Sequence, residues 1–405
     1  MLNTAFSGSI LKLFPVPNDK NKTWISPLEM NDALNKDIQA IKKIILLYFD
    51  VLNQAHTTKG YAKADELVEG IQKFQIKFGS NVRPSEQKIK SEILYNKFDI
   101  FKNLYLFYML IGVLMLIFTI IQIIKPSNFL RIIGVVFHYL VGLLFITHTI
   151  GLAARWYISG HAPWSDAYES MIYVAWATMF FGLAFDRKSK LTVASGAFVA
   201  SMILMIAHWN WMDPAIANLQ PVLNSYWLMI HVSVIVASYG PFTLAMILGV
   251  VSLLLLIFTT ENNKVKMKLN IQEITYINEM ALTVGLIMLT IGNFLGGQWA
   301  NESWGRYWGW DPKETWALIS IMVYAFVIHM RFVPALRGLF AYNFASVIGF
   351  YSIMMTYFGV NFYLTGLHSY ASGDKVVTPT FIYISVGCVL VLGFIARMKY
   401  RKFYK

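Results

Sequence analysis

One short stretch of the chain is unusually rich in tryptophan. It reads Gln298-Trp-Ala-Asn-Glu-Ser-Trp-Gly-Arg-Tyr-Trp-Gly-Trp-Asp-Pro-Lys-Glu-Thr-Trp316, with five tryptophans and one tyrosine in nineteen residues. Gly305 and Gly309 remove side chains between the rings, so a flat molecule can approach the backbone closely. Indoles form a broad apolar platform with N–H donors at its edge, and Arg306 and Lys313 add positive charge. This composition suits a large planar ligand that carries carboxylates, such as a porphyrin.

The alternative interpretation is an interfacial aromatic belt, the usual location of tryptophan and tyrosine in membrane proteins. A belt requires only amphipathic rings at one depth. Here the rings are concentrated in a single glycine-spaced segment, which favours a ligand platform.

Histidines strengthen this hypothesis. The chain contains eight: His56, His138, His148, His161, His208, His231, His329 and His368. His231 and His368 flank the tryptophan stretch, and each falls at the end of an apolar segment. Neutral imidazoles on both sides of a tetrapyrrole are the axial ligands that six-coordinate haem iron needs. A single histidine at a helix end, however, more often serves as an interfacial hydrogen-bonding group.

His329 differs from these two. It lies thirteen residues after Trp316, which places it about 20 Å deeper along a helix. Ionisable residues inside a membrane segment are rare and usually functional. His138 and His148 also lie within an apolar segment, and their spacing points them to different helix faces.

The amino-acid composition indicates which kind of structure holds these candidate residues in place. The 405 residues are 57% hydrophobic and only 14% charged, with a mean hydropathy of +0.51. Soluble domains are about 45–50% apolar and about 25% charged, so this composition indicates a membrane protein. The formal net charge of +12 fits basic membrane loops better than nucleic-acid binding. The single cysteine, Cys388, excludes a disulfide framework and attachment of haem to the chain's own paired thiols.

The chain divides into a polar segment, 1–103, and a membrane domain, 104–405. The polar segment is expected to be mostly helical and to be a linker or the remainder of another half. Nine apolar runs approach or exceed the length needed to cross a bilayer, so the predicted fold is an all-α polytopic membrane helix bundle. They are residues 104–124, 131–153, 168–185, 190–208, 226–258, 274–296, 316–333, 341–360 and 379–396.

Basic residues predict the orientation. Alternate loops carry most of the cations, including Lys125, Arg187, Lys266, Arg337 and the tail from Arg397. These loops and the C-terminus are therefore expected in the cytoplasm. The tryptophan stretch, 298–316, and residues 1–103 then face outward from the cytoplasmic (inner) membrane. Met1–Pro15 lacks the pattern of a signal peptide, so either this chain is the downstream part of a longer polypeptide or the span count is wrong by one, and we favour the first.

The tryptophan stretch resembles a known family signature. Trp304-Gly-Arg-Tyr-Trp308-Gly-Trp310-Asp311-Pro-Lys-Glu-Thr-Trp316-Ala is similar to the WWD motif of haem-handling proteins, in the form found in CcsA and CcsBA-type System II cytochrome c biogenesis proteins. Two further stretches carry the resemblance, Arg155-Trp-Tyr-Ile-Ser-Gly-His-Ala-Pro-Trp-Ser-Asp-Ala-Tyr-Glu-Ser170 and Ser225-Tyr-Trp-Leu-Met-Ile-His231-Val. Together they cover roughly residues 130–370.

The resemblance implies a set of site residues. His231 and His368 match the external haem ligands of the family, and His329 matches its transmembrane histidine. The WWD positions Trp304, Trp308, Trp310, Asp311 and Trp316 would bind the haem b that is both ligand and substrate. Asp311 and Glu314 are also candidates for acid/base roles, but Asp311-Pro312 before a helix predicts an N-cap equally well, and for Asp311 we favour that structural role.

The resemblance also implies an activity and partners. A cytochrome c synthase (haem-lyase) subunit would carry haem outward and present it to the Cys-x-x-Cys-His motif of apocytochrome c. The second transmembrane histidine would come from a CcsB/ResB-like protein, separate or fused upstream, with His138 a weaker substitute. Thiol-reducing pathway proteins and membrane lipid would be further partners.

Several alternatives remain open at this level. They are a haem exporter or chaperone without ligase activity, an electron-transfer cytochrome b, the System I components CcmC and CcmF, and a non-haem ion transporter. Cytochromes b typically hold haem between histidines inside the membrane, whereas the best candidates here flank an outer segment. Scarce acidic residues within the spans weaken the ion transporter, and no phosphate-binding GxxxxGK[ST] motif indicates an ATPase.

Overall fold

The computed structural model describes residues 12–17, 23–26, 29, 36–80, 83–186, 189–209, 212–216, 225–364, 366 and 380–404. The chain forms two compact units, Met1–Lys90 and Ser91–Lys405. The division falls upstream of the expected one at residue 103, because helical structure begins before the first apolar run.

The first unit joins a small sheet to two helices. Strands β1 (Phe14–Pro15) and β2 (Trp24–Ile25) pair antiparallel, and helices α1 (Lys36–Thr58) and α2 (Ala62–Gly79) follow. Its buried core contains Phe14, Ile41 and Ile45. Ile41 and Ile45 are four residues apart and therefore share one helix face. The helices agree with the mostly helical segment that the sequence predicts, and the sheet was not predicted.

The second unit is a bundle of long helices. In chain order they are α3 (Glu86–Phe98), α4 (Ile100–Ile124), α5 (Asn128–Ser159), α6 (Ala167–Ala184), α7 (Lys190–His208), α8 (Tyr226–Ile257), α9 (Lys264–Trp304), α10 (Pro312–His329), α11 (Leu339–Met354), α12 (Val360–Tyr363) and α13 (Thr380–Tyr404). A 3₁₀ turn, Met330–Phe332, follows α10, and a π-helical turn, Met355–Gly359, joins α11 to α12.

Each predicted span falls on one of these helices, which confirms an all-α, multi-pass membrane bundle. Within the described residues, eight helical segments are long and apolar enough to cross a bilayer. The remaining predicted span, 168–185, forms α6, an 18-residue helix that carries the buried Glu169.

Helix α8 lies at the centre of the bundle and packs against α6, α9 and α11. Glycines permit the closest approaches: a Cβ on Gly240 would lie 2.7 Å from the Ala177 carbonyl carbon on α6. Likewise, a Cβ on Gly249 would lie 2.7 Å from the Oγ of Ser346 on α11. Small residues at crossings are the usual way for membrane helices to pack closely.

The two alternating sets of loops lie at opposite ends of the bundle. At one end, the Arg155 guanidinium donates to the Pro214 carbonyl at 2.9 Å, and Ser225 Oγ donates to Glu302 at 3.2 Å. At the other end, Tyr404 Oη donates to the Lys264 carbonyl at 2.9 Å. We call these the outer and inner ends, following the orientation that the basic residues predict.

Helix α9 corrects the extent of the tryptophan loop. Its 41 residues are about 60 Å long at 1.5 Å per residue. Residues 298–304, which we expected in an outer loop, form its last two turns. The helix ends only at Gly305, whose φ of 71° lies in the left-handed region that glycine adopts without strain. The loop proper is therefore 305–311, and Trp316 belongs to α10.

Candidate functional site

The site is centred on His231, near the start of α8. The side chain is buried, with 7% of its surface exposed. Its Nδ1 lies 2.9 Å from the carbonyl oxygen of Trp227, one turn earlier. Because a carbonyl only accepts, Nδ1 carries the proton, and in the neutral ring Nε2 carries the lone pair. This is the hydrogen-bonding pattern of metal-ligating histidines, in which the other ring nitrogen is held by a backbone carbonyl.

Helix α9 forms one wall against the imidazole. The Trp299 indole stacks on His231, with ring centroids 5.3 Å apart and an interplanar angle of 27°. One turn earlier, Gly296 faces the same ring, and a Cβ there would lie 3.3 Å from His231 Cδ2. Trp304 meets Trp299 edge-on at 4.7 Å. The last turns of α9 therefore hold the ring orientation of His231.

The connecting loop presents further aromatic rings. The Arg306 guanidinium lies 5.8 Å from the Trp304 ring centroid, and its end fills the space where a Gly309 side chain would be. Trp308 and Trp310 make an edge-on pair with centroids 5.8 Å apart. Trp308 is half-buried, whereas Trp310 is 69% exposed. The loop therefore offers an aromatic surface at the outer end.

A carboxylate fixes the backbone of this loop. Glu314 Oε2 accepts from the amides of Gly309 at 2.9 Å and of Asp311 at 3.2 Å. These amides flank Trp310, whose φ of 57° lies in the left-handed region. Such a conformation is uncommon for a bulky residue and persists only when its surroundings hold it. Glu314 thus holds Trp310 in its exposed position.

Asp311 begins α10 as an N-cap. Its carboxylate accepts from the Lys313 amide at 3.2 Å, and together with Glu314 it completes a capping box, with Pro312 in the first turn. This agrees with the N-cap role favoured by the sequence. The carboxylate is also closely packed, because a Cβ on Gly366 would overlap Asp311 Oδ1. Gly366 precedes His368 by two residues in the sequence, and His368 itself lies outside the described residues.

Trp316 lies in the second turn of α10. Its carbonyl oxygen accepts from Thr356 Oγ1 at 3.0 Å. Thr356 belongs to the π-helical turn, Met355–Gly359, and π turns are frequent at functional sites. This contact joins the tryptophan segment to the helix that leads to residues 364–366.

A buried ion pair supports the outer end, and sequence reasoning did not assign it a role. Arg155 is fully buried; its Nε donates to Glu169 at 2.8 Å, and its terminal nitrogens donate to the Pro214 and Ala215 carbonyls. Nearby, the Trp164 indole N–H donates to the Met229 carbonyl at 3.1 Å, two residues before His231. The sequence singled out the stretch 155–170 as part of the family resemblance, but it did not indicate that Arg155 and Glu169 pair.

His329 lies at the opposite end of the bundle. It is the last residue of α10, and its Nδ1 is 2.6 Å from the carbonyl of Ala325. The side chain is exposed on the outside of the bundle, beside Phe332. The structure therefore does not bring His329 together with His231 or with the tryptophan segment.

The other two membrane histidines have separate environments. His138 Nδ1 lies 3.0 Å from the Asp186 carboxylate, and burial raises the pKa of Asp186 to about 7. Lys190 opposes that shift, and Glu273 adds to it. His148 is fully buried, and its Nε2 donates to the Ile172 carbonyl at 3.0 Å. Neither is close to the tryptophan segment in any described contact.

Known proteins are similar to this chain in amino-acid sequence. Residues 164–368 match the family model described as cytochrome c assembly protein. The cytochrome c biogenesis protein CcsA of Guillardia theta is 35% identical over 248 residues, which cover 56% of this chain and 82% of that protein. Protein NrfI of Wolinella succinogenes is 43% identical over 370 residues, 91% of this chain. The match spans only 40% of NrfI.

A solved structure of the cytochrome c haem lyase CcmF matches with a TM-score of 0.48 and 14% identity, over 75% of this chain and 51% of that chain. At that identity no residue correspondence follows. The family model, by contrast, spans the segment from Trp164 to His368, which includes His231 and the whole tryptophan stretch. With its helical membrane bundle, this chain belongs to the cytochrome c assembly protein family.

Proposed function

We propose that this chain holds haem at its outer end and presents it for covalent attachment to apocytochrome c. The observation that carries the proposal is His231, whose buried imidazole is oriented by the Trp227 carbonyl and by stacking on Trp299. Nε2 of that ring is the nitrogen suited to ligate haem iron. The relatives named for cytochrome c biogenesis, CcsA in particular, support the same role.

His368 is proposed as the second axial ligand. Its support is the contact between Gly366 and the Asp311 carboxylate, which brings the chain two residues before His368 to the start of α10. The same contact places that part of the chain beside the tryptophan loop. Haem b held by two imidazoles is low-spin and six-coordinate, with Trp308 and Trp310 as an apolar platform.

In the attachment step, a histidine of the Cys-x-x-Cys-His segment replaces one of the two axial ligands. Each cysteine sulfur then forms a carbon–sulfur bond to a haem vinyl group, and the thiol hydrogen goes to the other vinyl carbon. The addition is redox-neutral. The chain supplies no nucleophile here, and its contribution is to hold the reacting groups in near-attack geometry.

His329 is proposed as one ligand of a separate inner haem site. Its exposure on the outside of α10 leaves its ring facing away from the bundle, so a second component must complete that site. A CcsB/ResB-like protein, separate or part of the same polypeptide, would supply it. Transport of haem from this site to the outer one, in the cytoplasmic membrane, completes the proposed activity.

Absorption spectroscopy of the detergent-purified protein tests the outer site. We expect low-spin haem bands in the wild type and their loss in the double variant His231→Ala/His368→Ala. His208→Ala is the matched control, because His208, like His231, lies near a helix terminus at the outer end, but it stacks on Tyr105 instead. Unchanged bands in the double variant would rule out both ligands.

Synthesis of covalent cytochrome c in a reconstituted system distinguishes a ligase role for this chain from a role in haem export alone. Product formed from haem, apocytochrome c and this chain with its ResB-like partner supports the ligase. If thioether bonds form only after a further enzyme is added, the chain is a haem carrier alone.

A further inference from the structure

The inner end of the bundle contains a cavity of about 330 Å³ between α9, α11 and α13. Three cations line it, Lys268, Arg331 and Arg337. Cavities of several hundred cubic ångströms are typical of small-ligand sites. Lys268 lies in the first turns of α9, whereas Arg331 and Arg337 lie in the connection between α10 and α11, so two segments distant in sequence bring positive charge to the cavity.

Little negative charge offsets these cations. Arg331 pairs with Glu279 at 2.7 Å, and that carboxylate contributes the one ion pair with a lining residue among the described residues. Lys268 and Arg337 make no ion pair among the described residues. The cavity therefore retains a positive charge that an anion would balance.

Backbone geometry adds to this. Gly338 and Leu339 line the cavity, and they begin α11, a 16-residue helix whose N-cap has no capping side chain. The first amides of a helix have no intrahelical acceptor and, with the helix dipole, favour an anion. Tyr400 reaches the same point, because a Cβ on Gly338 would lie 3.2 Å from its hydroxyl.

The surface beside the cavity is apolar. On α9, Leu269 and Tyr276 are each 62% exposed, and Val265 is 71% exposed. A free inorganic anion would gain nothing from such a surface. A lipid would place its phosphate among the cations and its acyl chains against these side chains, at the depth where headgroups lie.

We propose that this cavity binds the phosphate of an anionic phospholipid, such as phosphatidylglycerol or cardiolipin. The inference is independent of the outer haem site. Basic pockets between membrane helices are known to bind such headgroups.

Native mass spectrometry of the purified full chain, titrated with phosphatidylglycerol or phosphatidylcholine, tests this. The wild type is expected to bind phosphatidylglycerol in preference. Each cation near the surface contributes about 1 kcal/mol to the attraction, so Lys268→Gln/Arg337→Gln is expected to bind phosphatidylglycerol roughly thirtyfold more weakly. Lys266→Gln/Arg401→Gln removes two exposed cations from the same end and is expected to leave binding within about twofold.

Equal weakening in both double variants would show a general surface attraction and overturn the site. Equal binding of the two lipids by the wild type would also overturn it, and this measurement needs no variant. If Lys268→Gln/Arg337→Gln instead lowers affinity for added haemin while leaving phosphatidylglycerol bound, the cavity holds haem propionates, and the lipid proposal is wrong.

Discussion

Two histidines at opposite ends of the bundle make the same local hydrogen bond in contrasting surroundings. In both His231 and His329, Nδ1 donates to the carbonyl four residues earlier, at 2.9 and 2.6 Å. His231 is buried against Trp299, whereas His329 is exposed. Local helix geometry thus prepares both rings in one tautomer, but only the outer ring is also fixed by tertiary packing.

Ion pairs show the same contrast. Arg155 and Glu169 at the outer end are 0% and 1% exposed, whereas Arg331 and Glu279 at the inner end are 22% and 33% exposed. The outer ion pair is thus shielded from solvent by this chain alone. The inner end retains open surface for lipid or for a second protein.

The largest expected effect comes from breaking the outer ion pair. Arg155→Ala leaves Glu169 buried without a counter-charge and should lower the free energy of unfolding by about 3–5 kcal/mol. Arg331→Ala should cost about 1 kcal/mol or less, because its pair is partly solvated. Unfolding in mixed detergent micelles measures both. Similar losses in the two variants would contradict the contrast between the ends.

Replacing His231 and replacing His329 should have different effects on haem affinity. Loss of a group that merely orients a ligand costs about 10–100-fold in metal affinity, so His231→Ala should lower haem affinity by more than about tenfold. His329→Ala in the isolated chain should leave the outer haem spectrum unchanged. Haemin titration followed by absorbance gives both values. A larger loss in His329→Ala would mean that the inner ring is the main ligand.

The Glu314 carboxylate should matter to a smaller degree. Glu314→Ala removes the acceptor for the Gly309 and Asp311 amides and half of the capping box. A helix cap contributes about 1 kcal/mol to stability. If the 305–311 loop must be ordered before haem binds, losing that energy lowers haem affinity about fivefold. Glu314→Gln keeps an oxygen acceptor and should restore most of it. Glu302→Ala, a nearby exposed change, is the control and should have little effect.

The smallest effect concerns Trp310. Trp310→Gly relieves a left-handed backbone conformation and should stabilise the folded chain by about 1 kcal/mol. At the same time it removes an exposed indole, so haem affinity should fall. Thermal unfolding and haemin titration measure the two responses. Loss of stability in this variant would show that the indole packs against the protein rather than serving as a platform.

Sequence reasoning predicted most of the membrane fold, because long apolar runs leave few alternatives to a transmembrane helix. It also favoured the N-cap role of Asp311, since Asp-Pro before a helix is a local signal. It misjudged the loop because indoles are tolerated in helices, and only Gly305 provides a stop. The two-residue strands are too short to give an alternating pattern.

Contacts between residues distant in sequence could not be predicted from the sequence. The two carbonyl acceptors of Arg155 are 59 and 60 residues away in sequence, so no local pattern indicates them. Gly296 had a weak signal, a Gly-Gly pair one turn before Trp299. The exposure of His329 depends on which face of α10 meets its neighbours, and apolar residues on both faces conceal that choice.

Helix α9 carries Lys268 at the inner cavity and Gly296 and Trp299 beside the His231 ring. Lys268 and Gly296 are 28 residues apart, about 42 Å along the helix at 1.5 Å per residue. A tilt of about 5° over that length corresponds to a displacement of about 4 Å at Gly296. If His231 ligates haem iron as proposed, one helix links whatever fills the inner cavity to the position of that ligand.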